Sequence, residues 1–217
     1  PSSSVWSMVR NTSDALHDHA SCREWSGVAD MLLLARENNL TLLPRQLSAA
    51  TVIAAHGEQH RLSLDLHAAL VASMCSATKR GDGAAAVSDD KANRKRMHEE
   101  KVHSVALKAC RRVGAWRRAS AIATFVAFGE PFNTAADPFE DDHAVALDAD
   151  LETRDGTLSR RMRIRAMAEA MSACVRARDT SDRPVLDALE SALHLFDRAE
   201  SAGFDNRVIY GNAMQAH

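Results

Sequence analysis

The stretch Ser104-Val-Ala-Leu-Lys-Ala-Cys-Arg-Arg-Val-Gly-Ala-Trp116 decides the fold, because its residue pattern occurs twice in the chain. A looser copy runs from Ser13 to Trp25, at a constant offset of 91 residues. Both copies place apolar residues three and four positions apart, which is the period of an amphipathic helix. The match predicts a helical unit that repeats along the sequence.

Further copies set the length of the unit. Between the first two, Ser48 matches Ser13 and Leu66 matches Met31 at an offset of 35 residues. The larger offset exceeds two units of 35 by 21 residues, and a polar interval at residues 79–97, rich in Gly, Asp, Lys and Arg, nearly accounts for this excess. A fourth copy places Ala-Met-Ser-Ala-Cys174 opposite Ala-Leu-Lys-Ala-Cys110. We therefore predict a repeat of about 35 residues, interrupted by insertions.

The composition agrees with helices: 46% of the 217 residues are hydrophobic but only 5% are aromatic. We predict an all-α fold, an α-solenoid of antiparallel helix-turn-helix repeats with two polar insertions. The predicted helices cover residues 12–22, 26–37, 45–56, 62–75, 98–113, 116–128, 159–178 and 184–202, and an unpaired helix begins near Arg207. The predicted organisation is two repeats in residues 1–78, a polar linker or insertion in 79–97, a third repeat in 98–132, an acidic loop in 133–158, a fourth repeat in 159–204 and the start of an incomplete repeat in 205–217.

Three stretches resemble the pentatricopeptide repeat family, in a divergent form typical of mitochondria. They are Ala109-Cys-Arg-Arg-Val-Gly-Ala-Trp-Arg-Arg-Ala119 with Phe128-Gly-Glu-Pro131, Ala192–Phe196 with Ala202–Asp205, and Val208–Met214. The family's unit has the same length and consists of two antiparallel helices that stack into a right-handed solenoid. A tetratricopeptide-type or unrelated array of helical hairpins is the alternative, although Trp25 lacks the Leu-Gly pattern of that family.

The resemblance implies that successive bases of single-stranded RNA are read by polar residues of the first helix and of the repeat's end. The matching first-helix positions are Ser13, Ser48 and Ser104, followed by Ala168 and Gly211. Leu43 at a repeat end cannot hydrogen-bond a base, whereas Asn133 and Asn206 have suitable chemistry. The alternative is that small residues are needed where first helices pack side by side.

The charges are unevenly distributed although the net charge is only -2. Residues 91–118 carry a local charge of +8 and residues 137–155 a local charge of -7. Clustered arginines suit phosphate contacts. The candidate phosphate-binding residues are Arg111, Arg112, Arg117, Arg118, Arg160, Arg161, Arg163 and Arg165. The alternatives are ordinary solvated helix faces, or an acidic loop that folds back on this basic region.

Other functional classes find little support in the sequence. No uncharged apolar run reaches the roughly 18 residues of a membrane span. His56 and His60 lack a third metal ligand at a characteristic spacing, Lys79–Gly83 lacks the spacing of a phosphate-binding loop, and no catalytic set is recognisable. We expect no enzymatic activity, cofactor, metal, membrane or small-molecule substrate.

The predicted function is an RNA-associated scaffold, a subunit or assembly factor of a large ribonucleoprotein such as the mitoribosome. Its expected partners are ribosomal or other organellar RNA and other proteins of a large complex. The resemblance implies the mitochondrial matrix as its location. The alternative is a protein–protein interaction scaffold, a tetratricopeptide-like adaptor without direct RNA contact.

The sequence also predicts which side chains are buried. The predicted core anchors are Trp25, Leu34, Trp116, Phe125, Leu195 and Phe196, and the cysteines at 22, 75, 110 and 174 are predicted to be small buried residues. Because the last helix lacks a partner, its apolar residues Val208, Ile209, Tyr210, Ala213 and Met214 are predicted to stay partly uncovered.

Overall fold

A computed structural model of the chain describes residues 3–79, 89–130, 158–177 and 185–216. Within these residues the regular structure consists of nine α-helices and contains no β-strand, so the predicted all-α class is confirmed. The chain divides into two compact units, Pro1–Arg94 and Lys95–His217. The boundary lies inside the predicted polar interval 79–97.

The first unit is built from two helical hairpins that share one core. Its helices are α1 (Ser3–Cys22), α2 (Trp25–Glu37), α3 (Pro44–His56) and α4 (His60–Lys79). α1 packs on α2 and on α3, and α3 packs on α4. Pro44 begins α3 at a position where a missing backbone N–H costs no helical hydrogen bond. Leu16, Leu47 and Leu66 are completely buried between the helices.

The second unit places α7 at its centre. Its helices are α5 (Asp89–Val113, which begins before the unit boundary), α6 (Trp116–Phe128), α7 (Arg160–Ala177), α8 (Val185–Ser201) and α9 (Arg207–Ala216). α7 packs against α6, α8 and α9, and α8 also contacts α6 and α9. Met167 and Met171 of α7 are therefore completely buried.

The turns after α1, α3 and α5 share one backbone geometry. Arg23, Glu58 and Gly114 take left-handed φ angles of 60°, 63° and 74°. In each turn the next backbone N–H donates to a carbonyl five residues earlier, a helix termination of the Schellman type. These bonds are Glu24 N to His19 O at 2.9 Å, Gln59 N to Ala54 O at 2.9 Å and Ala115 N to Cys110 O at 3.0 Å.

The turns recur at the offsets of 35 and 91 residues that the sequence match requires. Burial follows the same register in the second helices: Val28, Ser63 and Ala119 are completely buried at matching positions. The pattern that the sequence repeats therefore corresponds to a recurring local structure in the described hairpins.

Four side chains fix the end of α6 to α8 and to the turn after α8. Arg198 makes a two-pronged ion pair with the carboxylate of Glu130 and lies 4.1 Å from the centre of the Phe128 ring. Phe128 in turn stacks on Phe204, with ring centres 6.1 Å apart. The hydrogen bonds from Arg198 lower the pKa of the Glu130 carboxyl below its ordinary value of about 4.5.

A second fixed point lies at the start of α7. The Ser159 backbone N–H donates to Glu100 Oε1 at 2.9 Å, and the Ser159 hydroxyl accepts the N–H of Met162 at 3.2 Å. A serine hydroxyl in this position satisfies one of the free N–H groups of a helix start. α5 and the first turn of α7 are thereby joined.

Three predicted boundaries are wrong. α1 begins at Ser3 instead of residue 12, α4 ends at Lys79 instead of residue 75, and residues 89–97 of the predicted polar loop belong to α5. Ala, Lys and Arg are good helix formers, so a helix with a packed end can extend through them without an apolar face of its own. Residues 80–88 of that loop and residues 131–157, most of the predicted acidic loop, lie outside the described residues.

Three of the six predicted core anchors are buried: Trp116, Phe125 and Leu195. Trp25, Leu34 and Phe196 are only half-buried. Trp25 lies at the start of α2 and its ring covers the turn at Gly57, where an added Cβ would meet the ring at 2.5 Å. It therefore packs on the following hairpin's turn instead of filling the core.

The predicted burial of the cysteines holds for Cys110 and Cys174 but is wrong for Cys22. Cys22 is the last residue of α1, on the side of the turn that faces solvent. The side chain of Cys75 lies outside the described side chains.

Candidate nucleic-acid interface

A groove of about 700 Å³ in the second unit is the candidate site. Four of the eight predicted arginines line it: Arg111 from α5 and Arg160, Arg161 and Arg165 from α7. Apolar lining comes from Ile164, Ala168 and Val208, and polar lining from Glu169, Ser172 and Asn206. The groove thus combines several guanidinium groups with an apolar surface.

The sequence of α7 explains how one helix supplies most of this lining. Arg161, Arg165, Ala168 and Ser172 recur three or four positions apart and so share one face of the helix. Arg160 lies at the start of α7, where its guanidinium donates to the Gly203 carbonyl at 2.6 Å. This bond ties Arg160 to the turn between α8 and α9.

α9 forms a wall of the groove and is fixed to α7 by a buried amide. The side-chain N–H₂ of Asn212 donates to the Ala168 carbonyl at 3.1 Å and to the Ser172 hydroxyl at 2.8 Å. At the other end of α9, the side-chain oxygen of Asn206 accepts the N–H of Val208 at 2.7 Å. These contacts position Asn206 and Val208 at the groove.

One acidic side chain lies among the arginines. Nη1 of Arg111 is 3.2 Å from Oε2 of Glu169, whose side chain is 15% exposed. This is an ion pair by distance but not a directional hydrogen bond, since Glu169 Oε2 has no hydrogen-bond partner among the described residues. Four positive groups against one negative group leave the groove suited to anions.

The other four predicted arginines do not line the groove. Arg112 is exposed and Arg163 is half-buried. Arg117 lies 3.4 Å from the carboxylate of Asp187 and 5.1 Å from the centre of the Trp116 ring. Arg118 is only 6% exposed. The structure therefore separates the predicted Arg111–Arg118 cluster.

The serines predicted at base-reading positions are buried. Ser13, Ser48 and Ser104 are 0%, 3% and 8% exposed. The Ser13 hydroxyl donates to the Val9 carbonyl at 2.7 Å and accepts the Leu43 backbone N–H at 3.0 Å. Their burial favours the packing interpretation of these small residues.

Glu169 and Ser172 are groove residues that the sequence interpretation missed. Their signal was present, because they continue the helical spacing that begins at Arg161 and Arg165. Asn206, whose chemistry the resemblance singled out at a repeat end, does line the groove, as does Ala168.

The described part of the chain contains no group of three or more His, Cys, Asp or Glu side chains arranged to hold a metal ion. No helix there has the length and apolar character to cross a membrane. Burial raises the pKa of the Cys174 thiol, which lies 3.6 Å from the Ser120 hydroxyl, so this thiol stays protonated at neutral pH.

Comparisons with known proteins give no match to this chain among family models, curated proteins or solved structures.

Proposed function

We propose that the protein is a non-enzymatic, RNA-associated helical-repeat scaffold, and that it serves as a subunit or assembly factor of a large mitochondrial ribonucleoprotein such as the mitoribosome. The arginine-lined groove is the observation that carries the RNA assignment. The mitochondrial matrix and the ribonucleoprotein rest on the pentatricopeptide resemblance alone.

The groove supports RNA because of its mixed lining. Arginine guanidinium groups bind phosphate oxygens in a forked geometry and release counterions from the nucleic acid. Ile164 and Val208 offer an apolar surface against which an unstacked base can pack. The asparagine amide of Asn206 has both donors and acceptors for a base edge.

We also propose that the hairpins stack into an α-solenoid of pentatricopeptide type. Two observations support this architecture. The turns after α1, α3 and α5 recur in the sequence register. Within each unit, helices in equivalent positions pack side by side, namely α1 with α3 and α7 with α9.

The test is RNA binding measured against salt concentration by fluorescence anisotropy, with a labelled single-stranded RNA of mixed sequence. The double variant Arg161→Gln with Arg165→Gln removes two groove arginines. If both contact phosphates, the log–log salt slope becomes shallower by about 1.4, since each single-strand contact contributes about 0.7.

The matched control is Arg112→Gln with Arg176→Gln. Both arginines are exposed, neither lines the groove, and the net charge changes by the same amount. The control should keep the wild-type slope. Equal loss in both double variants, or a wild type without affinity at low salt, contradicts RNA binding at the groove.

A second candidate function is a protein scaffold without RNA contact. The exposed apolar side chains of α9 favour it: Val208, Tyr210 and Met214 are 53%, 41% and 80% exposed. Met214→Asp should then remove the protein from its large particle in cell extract, whereas the groove variants should not. The reverse result favours the RNA-associated scaffold.

A further inference from the structure

We infer that Glu169 regulates the anion affinity of the groove by holding Arg111 in an internal ion pair, which a phosphate group must displace. This inference rests on the proposed function of the groove and assigns to it a residue that limits binding. Glu169 is thus a positioning residue whose effect passes through Arg111.

The geometry identifies Arg111 as the arginine that Glu169 restrains. The two side chains come from different helices, α5 and α7, and meet at 3.2 Å in the lining of the groove. Arg160, by contrast, donates to a neutral backbone carbonyl, that of Gly203. A carboxylate partner competes for a guanidinium more strongly than a neutral carbonyl does.

The pair is also poorly matched. Oε2 of Glu169 and Nε of Arg111 are both buried without a hydrogen-bond partner among the described residues, so the charges meet without aligned donors. A two-pronged pair such as Arg198 with Glu130 shows what full alignment in this unit looks like. Arg111 can therefore exchange Glu169 for a phosphate without losing a well-formed hydrogen bond.

The exchange has a predictable consequence. While Arg111 stays paired, the groove offers fewer free guanidinium groups than its sequence supplies. Neutralising Glu169 removes this competitor, so Arg111 binds phosphate without first giving up an ion pair. Affinity should rise about three- to tenfold near 50 mM salt, roughly the size of one single-strand phosphate contact at this salt.

The experiment compares Glu169→Gln with the wild type in the same RNA titration. Glu190→Gln is the control, because Glu190 is exposed on α8 outside the groove and its replacement changes the net charge equally. Glu169→Gln should bind more tightly and Glu190→Gln should not. In an Arg111→Gln background, Glu169→Gln should have no effect.

Two outcomes overturn the inference: Glu169→Gln binds no more tightly than the control, or its gain persists without Arg111. Glu169→Asp retracts the carboxylate and should give a smaller gain of the same sign, which decides the question if the glutamine variant does not fold.

Inorganic tripolyphosphate separates this inference from the proposed function. A wild type that binds tripolyphosphate but not RNA overturns the function, while the Glu169 variants still decide the inference on that probe. A wild type that binds neither tripolyphosphate nor RNA overturns both the inference and the proposed function.

Discussion

Ser13 shows how a candidate base-reading residue serves the fold instead. Its hydroxyl joins α1 to the connection between α2 and α3, through the Leu43 N–H. Ser73 of α4 holds the same connection from another helix, since its hydroxyl donates to the Leu42 carbonyl at 2.7 Å. The two hydroxyls thus hydrogen-bond the Leu43 N–H and the Leu42 carbonyl, neighbouring backbone groups outside the helices.

Ser13→Ala is expected to destabilise the protein by about 1–3 kcal/mol, because it leaves the Leu43 N–H without its partner. Urea denaturation measures the change. Ser7→Ala is the control, since Ser7 is an exposed serine on the same helix. A Ser13→Ala protein of unchanged stability but weaker RNA binding contradicts the structural role.

Glu130 makes the stability of the second unit depend on pH. Because its pKa is lowered in the folded protein, mainly by hydrogen bonds from Arg198, its ion pair stabilises the fold above about pH 4.5. This contribution is lost as the pH falls through the lowered pKa. Glu130→Gln should therefore lower the urea midpoint at pH 7 and show a smaller loss between pH 5 and pH 3.

The control for this prediction is Glu200→Gln, an exposed carboxylate of α8. Its urea midpoint should fall between pH 5 and pH 3 as much as that of the wild type. If the stability of Glu130→Gln falls between pH 5 and pH 3 as much as that of the wild type, the ion pair with Arg198 is not the source of this pH dependence.

Adjacent arginines mark the limit of prediction at the residue scale. The sequence correctly indicated arginine-rich segments, but successive helix residues point about 100° apart. Arg117 therefore reaches Asp187 while Arg118 is buried. Which arginines meet in one groove depends on how α5, α7 and α9 pack, and this information is absent from the local spacing.

At the scale of the helices, Asn212 carries the attachment of α9. Asn212→Ala removes the two hydrogen bonds to α7 and is expected to cost about 1–3 kcal/mol. Faster hydrogen exchange in α9, measured by mass spectrometry, should accompany the loss. Gln215→Ala changes an exposed residue of the same helix and should leave exchange unchanged.

If exchange in α9 is the same in both variants, packing of Ile209 and not the amide holds this helix. RNA affinity of the Asn212 variant is a further readout, because Asn206 and Val208 lose their fixed position when α9 loosens.

Helix ends were predictable where a turn signal accompanied the apolar period. Gly114, Gly129 and Gly203 all take positive φ angles at ends that the sequence placed within a residue or two. Residues 89–97 of α5 were missed because Ala92 and Met97 are their only apolar residues and form no helical period. The start of α1 was missed although Val5, Met8 and Val9 recur three and four positions apart.

At the scale of the whole molecule, exposed apolar residues occur on both the first and the last helix. Val5, Trp6 and Met8 are exposed on α1, as Val208, Tyr210 and Met214 are on α9. We expect the protein to bind an apolar dye, and Trp6→Ser with Met214→Ser to reduce that binding. Sedimentation should show concentration-dependent association that weakens in the same variant.

A wild type that stays monomeric at high concentration and binds no dye contradicts this expectation. The control is Leu33→Ser, which changes one exposed leucine on α2, outside α1 and α9. It should reduce dye binding and association less than the double variant does.

The overall class and most helices could be predicted because they depend on local periodicity. The groove could not, since Arg111 is brought to Arg165 by packing between α5 and α7, which are far apart in the sequence. The uneven charge along the sequence likewise identified the basic segments. It did not indicate that Glu169 lies among the arginines of the groove.

The fixed points at Glu130 and Ser159 have a consequence for protein engineering. The chain on one side of residues 131–157 is held by Arg198, and on the other side by Glu100. A chain divided between Glu130 and Ser159 would therefore give two fragments, each of which carries the partner of the other's end. This arrangement suits a split reporter, in which the two fragments are expressed separately and their association is read out.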